Sequence, residues 1–398
     1  MGGQEASALR RANTRVVVEQ LRRGGATSRA GLARDTGLAK QTVSTIVATL
    51  LADGVVRELG RAHAESGGGR PAVLLEYAAD RAFVVALEIG VGRTRLVVAD
   101  ALGEPVQTHE VLREAGGGRQ RPPSTVLEDV VTQTARVMRG IGGLERLRAV
   151  GVSVTGLVQP ASGICVLAPN LGWRDVPVAD LLHRALARRG CDAPVVVRGA
   201  AQSSLIAEHR EGAAMGQRDV VLLFEDEGVG AAIIEAGRLV DGAEGTAGEL
   251  GHCAWPGGGV RCGCGRLGCV ETLASGPAVR RAVERATGRR VRRRAGEPTF
   301  AALARRSEPE VAVAAAEAGR VLGTAASWLT ALTAPRMVVL SGSLVLSPVG
   351  LRTSLEGVLK DRALADPPLL VEGALGDGAA LRGAVLLALD EARGTRRL

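Results

Sequence analysis

The chain has 398 residues, 46% of them hydrophobic, which excludes a disordered protein and leaves room for two or three domains. Three Trp, three Phe and one Tyr are too few for a nucleic-acid platform built on stacked rings. The net charge of +8 is carried almost wholly by arginine, with lysine only at Lys40 and Lys360, and suits an anionic partner. The opening MGGQEASALRR has no apolar signal core, and no uncharged apolar run reaches roughly 18 residues. A cytoplasmic protein without a membrane span is expected.

Residues 1 to 60 show helical periodicity, and residues 1–70 hold 11 Lys and Arg against 6 Asp and Glu. Within them Ser28 suits a helix N-cap, Gly37 a sharp turn between helices, and Ala33 a close helix approach. Leu38, Val43 and Ile46 then form an inner face and leave Lys40, Gln41, Ser44 and Thr45 outward. This is helix-turn-helix spacing, in which the second helix enters the DNA major groove. Gln41 suits adenine, and Lys40 suits guanine or phosphate. Val55–Leu59 and Ala72–Tyr77 read as a hairpin whose tip holds Arg61, His63 and Arg70, a wing able to reach the DNA backbone. Ser28, Arg29, Lys40, Gln41, Thr42, Ser44, Thr45, Arg61 and Arg70 are the candidate DNA contacts. The competing reading is a plain helical hairpin with a solvated charged face.

A glycine-rich stretch, Ser66 to Pro71, precedes an α/β pattern from about residue 81. Val84–Leu87, Arg95–Ala99, Val150–Val154, Val195–Val197, Val220–Phe224, Ala231–Ile234 and Met337–Leu340 read as strands. Ser124–Gly140, Ala201–Glu211 and Pro309–Thr333 read as helices.

Cys262, Cys264 and Cys269 fall within eight residues, ten residues after His252. Three thiolates and an imidazole suit a structural Zn²⁺ in tetrahedral geometry, in a reducing compartment. Cys253 competes with His252 as fourth ligand; the histidine is favoured, because adjacent residues rarely both point inward. Cys165 and Cys191 are isolated and expected in the core.

These motifs together resemble the ROK family of repressors, open reading frames and sugar kinases, in its regulator branch. The loop from Gly251-His252 to Cys269-Val270-Glu271 is similar to the family's zinc signature, and Glu88-Ile89-Gly90-Val91-Gly92 to its first phosphate turn. Gly242–His252 and Pro169–Trp173 are similar to its sugar-site segments, and Gly69-Arg70-Pro71 to the wing of its regulators. The resemblance implies an N-terminal winged helix-turn-helix, mainly α, joined to an α/β two-lobed actin-like ATPase fold of the ROK sugar-kinase type. It places the DNA-binding domain at 1–80. The first lobe takes 81–200 with a returning helix at about 381–398. The second takes 201–380, with the zinc loop and an oligomerisation surface. A homodimer or homotetramer is implied, with Asn170, Glu249, His252 and Glu271 in a sugar cleft.

The departures from the kinases are specific. Family kinases carry Glu-Asn-Asp-x-Asn, whose Asp takes the proton from the sugar hydroxyl; here the stretch reads Arg198-Gly199-Ala200-Ala201-Gln202. The methyl group of Ala200 cannot accept a proton, so no catalytic residue is assigned. The second phosphate loop reads Glu225-Asp226-Glu227-Gly228-Val229-Gly230, where carboxylates would repel a triphosphate. Glu88 replaces a metal-binding Asp, and Ser341-Gly342-Ser343 a glycine triplet. The expected function is a ligand-responsive, DNA-binding transcriptional regulator, a repressor by family default, that senses a sugar or related small molecule without phosphorylating it. Its partners would be a double-stranded operator and that effector. The alternative is an active ATP-dependent sugar kinase with an added DNA-binding domain; a zinc sensor is a third reading.

Overall fold

The computed structural model describes residues 2–61, 72–112 and 121–394. Its contacts divide the chain into an N-terminal unit, Met1–Phe83 with Asp100–Glu104, and a larger unit, Val84–Ala99 with Pro105–Leu398. Three sequence expectations lie outside the described residues: the wing residues His63 and Arg70, the side chain of Arg61, and the last four positions of the returning helix.

The N-terminal unit comprises α1 (Gly2–Gly24), β1 (Thr27–Ser28), α2 (Arg29–Thr36), α3 (Lys40–Ala52), β2 (Val56–Arg61) and β3 (Val73–Tyr77). Ser28 caps α2, its hydroxyl accepting from the Gly31 N–H at 3.1 Å. Gly37 ends α2 at φ 69°, a left-handed conformation that glycine adopts without a Cβ penalty. Val17, Leu21, Leu32, Val43, Ile46, Val47, Leu50, Val56 and Leu75 bury one face of each element in a shared core. Strands β2 and β3 pair antiparallel, Val56 opposite Tyr77, and β1 adds a third strand beside β3. The hairpin tip Asp100–Glu104 joins this unit, and Ala101 N–H donates to the Ala79 carbonyl at 3.2 Å.

In the larger unit a first sheet holds β4 (Phe83–Ile89), β5 (Arg93–Asp100), β6 (Pro105–Leu112), β7 (Leu147–Val154) and β11 (Val195–Gly199), in the order β11-β7-β4-β5-β6. Strand β4 is an unbroken buried run, as a central strand covered on both faces must be. At the edge, β6 is exposed almost throughout. Helix α4 (Pro123–Arg139) precedes β7, and the short antiparallel strands β8 (Leu157–Gln159), β9 (Ile164–Ala168) and β10 (Trp173–Pro177) follow it. Helix α5 (Val178–Ala187) leads to β11 (Val195–Gly199), parallel to β7, and then α6 (Ala200–Glu211).

The second sheet holds β12 (Val220–Glu225), β13 (Val229–Glu235), β14 (Arg238–Leu239), β15 (Met337–Gly342) and β16 (Leu369–Glu372), in the order β14-β13-β12-β15-β16. Between β14 and β15 run α7 (Glu271–Ala274), α8 (Gly276–Thr287), α9 (Thr299–Ala304) and the long α10 (Pro309–Thr333); α11 (Val349–Arg362) separates β15 from β16, and α12 (Ala379–Arg393) ends the described chain. Helices α6 and α12 pack so closely that a Cβ on Gly383 would stand 1.9 Å from the Ser203 carbonyl oxygen. No described helix is long and apolar enough to cross a membrane.

Candidate functional site

Helix α3 buries Val43, Ile46, Val47 and Leu50, and that stripe fixes which side chains remain outside. Lys40, Gln41, Ser44 and Thr45 are exposed, and Thr42 is half-buried. The Thr45 hydroxyl donates back to the Gln41 carbonyl at 3.0 Å. Arg29 is paired with Glu58 at 3.3 Å, so it is less free than the α3 side chains.

In the larger unit, His252, Cys262, Cys264 and Cys269 bring one donor atom each within 4.8 Å of one another, a cluster that could hold a metal ion. Cys264 Sγ lies 3.6 Å from Cys269 Sγ, and Cys262 Sγ 3.7 Å from His252 Nδ1. A tetrahedron with metal–sulfur bonds of about 2.3 Å has an edge of about 3.8 Å, so the donor set fits such an ion. The loop is held by its own backbone, Cys262 N–H donating to the Arg266 carbonyl at 2.8 Å. Cys253, the competing ligand, is exposed and lies outside the cluster, while Cys165 and Cys191 are buried elsewhere.

The other ring nitrogen of His252 faces a cleft. Nε2 lies 3.9 Å from Glu249 Oε2, and Glu249, His252, Glu271 and Asn170 line one pocket with Gly199, Ala200 and Gln202. Burial, reinforced by the charge of Glu271, pushes the Glu249 carboxyl up to about 7. Glu271 accepts from the Val229 N–H at 3.1 Å, and the Asn170 amide donates to the Glu227 carbonyl at 3.4 Å, which fixes both side chains at the rim. Gln202 was not singled out by the sequence as a ligand group. Its side chain is buried and its Oε1 has no partner among the described residues. A buried acceptor without a partner costs free energy, which a donor that reached it would recover.

Residues 84–391 match the ROK family. The chain belongs to the ROK family. A xylose repressor of Caldicellulosiruptor bescii is 28% identical over 67% of this chain and 64% of its own length. A glucokinase of Streptomyces coelicolor is 32% identical over 51% of this chain and 59% of its own length. The chain thus spans less than two thirds of either relative. A solved ROK family transcriptional regulator, a homolog of the E. coli MLC protein, superposes with TM-score 0.73 over 96% of this chain and 97% of that one, at 22% identity. The fold is that of a ROK protein, an actin-like α/β body with an N-terminal domain.

The segments that resemble the ROK phosphate turns, Glu88 to Gly92 and Glu225 to Gly230, come together with Ser341-Gly342-Ser343 around one small cavity. Glu88, Glu225, Asp226, Ser343 and Asp377 surround a cavity of only about 10 Å³, room for about one water. Glu88 pairs with Arg95 at 2.9 Å, and Arg93 pairs with Asp377. The acidic loop differs from its sequence reading, because two of its carboxylates do not stand open to repel a phosphate. Glu225 accepts from the first N–H of α8, at Gly276, at 2.9 Å and from the Ser343 hydroxyl. Glu227 accepts from the first N–H of α9, at Thr299, at 3.0 Å and from Arg293 at 2.9 Å. Burial pushes both carboxyls up, and each meets the first backbone N–H of a helix instead of solvent.

Proposed function

We propose that this ROK protein is a DNA-binding transcriptional repressor whose actin-like body binds a sugar or sugar derivative and does not phosphorylate it. The observation that carries the reading is the row Lys40, Gln41, Ser44 and Thr45, exposed on a helix whose opposite face is locked into the core of a helix-turn-helix. Such a row is shaped to read base edges. The self-closed phosphate turns and the methyl group at Ala200 support the absence of phosphoryl transfer. The DNA contacts are Ser28, Arg29, Lys40, Gln41, Thr42, Ser44 and Thr45, with Arg61 and Arg70 of the wing.

His252, Cys262, Cys264 and Cys269 would hold a structural zinc, which supplies rigidity to the loop and fixes the imidazole with Nε2 toward the cleft. Asn170, Glu249, His252, Glu271 and Gln202 then offer donors and acceptors to vicinal hydroxyls. Sugar binding moves DNA affinity only as far as the sugar prefers one conformation of the body over the other. One helix-turn-helix per chain implies an oligomer, a homodimer or homotetramer, on a two-fold symmetric operator. The xylose repressor and glucokinase relatives put xylose and glucose first among the sugars to test.

The experiment is selection of bound fragments from genomic DNA by the full chain, followed by sugar titration of the complex. Enrichment of a palindromic site that a sugar releases supports the reading; no enriched fragment overturns it. The kinase reading rests on the glucokinase similarity and on the retained Glu249, His252 and Glu271. Sugar-dependent formation of ADP from ATP at an ordinary enzymatic rate would establish it instead.

A further inference from the structure

Residues 280–294 contain eight arginines and one glutamate, the densest positive charge in the chain. They run from the end of α8 into the segment before α9. That segment is fixed from beneath. Val291 is buried in the core, its N–H donating to Glu284 at 2.9 Å, and Arg293 is held by Glu227 and by the Glu297 carbonyl at 3.0 Å. Inward and outward positions therefore alternate, and Arg290, Arg292 and Arg294 are exposed.

Arg281 and Arg285 add exposed charge from α8. Arg280 is committed to Glu284 at 3.4 Å, and Arg289 feels the carboxylate of Glu308. Arg285, Arg290, Arg292 and Arg294 have no ion pair among the described residues. Burial first, then the charges of its helix neighbours Arg280 and Arg285, pushes the Arg281 guanidinium below its ordinary value.

We propose that this arginine surface is a second DNA contact, which grips the phosphate backbone of duplex DNA without reading sequence. It rests on the DNA-binding function proposed above. Guanidinium forks suit phosphate oxygens. No apolar or aromatic side chain stands among the outward positions of 289–294, so the surface lacks the buried anchor of a protein interface and the rings of a single-strand platform.

The test compares the full chain with the triple variant Arg290→Gln, Arg292→Gln, Arg294→Gln on a non-specific duplex of about 40 base pairs, across salt concentrations. Each lost phosphate contact lowers the slope of log K against log salt by about 0.9, so a fall of about 2–3 is expected. The corresponding Lys triple variant should recover most of the slope, which a purely structural role would not do. If the Gln triple variant does not fold, Arg292→Gln alone should lower the slope by about 0.9. An unchanged slope overturns the proposal, as does a loss of binding to anionic phospholipid vesicles with duplex binding intact. Gln41→Ala and Lys40→Ala provide the separating arm. If they abolish base preference while the arginine variants leave the slope unchanged, only the second contact fails. If the arginine variants lower the slope while these two leave base preference intact, the second contact stands and the helix-turn-helix reading fails. If the wild-type chain binds no duplex, both fail.

Discussion

Glu249 Oε2 lies 3.9 Å from His252 Nε2, the ring nitrogen turned away from the cysteines, so one imidazole borders both the metal-ligand cluster and the cleft. A metal bound at Nδ1 leaves Nε2 as a fixed donor, and loss of the metal frees the ring.

The first prediction follows from that geometry. Elemental analysis of the purified chain should find about one zinc per chain. Cys264→Ser should lose it and destabilise the larger unit by about 2–4 kcal/mol, read as a fall of roughly 5–10 °C in thermal midpoint. Sugar affinity should drop about tenfold with it, because the ring is no longer oriented. Unchanged metal content, or an unchanged midpoint after strong chelation, counts against the site.

Gln202→Ala should weaken sugar binding by about 1 kcal/mol, roughly fivefold, since one hydrogen bond to the ligand is removed. Isothermal titration with the sugar that releases DNA measures it. Ala200→Asp returns a carboxylate to the cleft, yet it should produce no phosphorylation, because the phosphate turns remain closed around about 10 Å³. ADP formation by that single variant would show the turns to be open in solution.

Gly37→Ala should destabilise the N-terminal unit by about 1 kcal/mol. Nothing lies within 4 Å of the added Cβ, so the whole cost is the left-handed φ of 69°. Gln41→Ala should leave stability unchanged and flatten base preference in a binding selection.

Glu88 supplies a pH dependence. The side chain is 6% exposed, and burial pushes its carboxyl up to about 7 against the opposing pull of Arg95 and Arg93. The folded chain therefore holds this proton more tightly than the unfolded chain does between 4.5 and about 7. Stability falls as pH rises through that window, by up to about 3 kcal/mol from this group. Glu88→Gln should remove that part of the slope, as urea unfolding at pH 5 and pH 8 would report. An identical slope in the variant would show that Glu88 ionises normally.

Elements with strong local signals were legible from the sequence. The apolar runs in β7, β12, β13 and β15 and the apolar period of α4 and α10 do not depend on distant partners. Strand β6 was missed because, as an exposed edge strand, it shows no buried alternation. Strands β8, β9 and β10 were not read either, although β9 and β10 match β11 in length, and the arginines of α8 mask its apolar stripe of Ala278, Val279 and Val283. At the site, the cysteine spacing marked the loop whose donors gather with His252, and Cys253 is exposed outside that cluster. The inward turn of Glu225 and Glu227 was not legible. Their partners Gly276 and Thr299 are 51 and 72 residues away, and only the folded chain brings them together.

That inward turn has a consequence for regulation. With Glu225 on the first N–H of α8 and Glu227 on that of α9, a phosphate that bound at these turns would have to displace a carboxylate from each. Under the proposed function, operator occupancy would then follow the sugar effector rather than nucleotide.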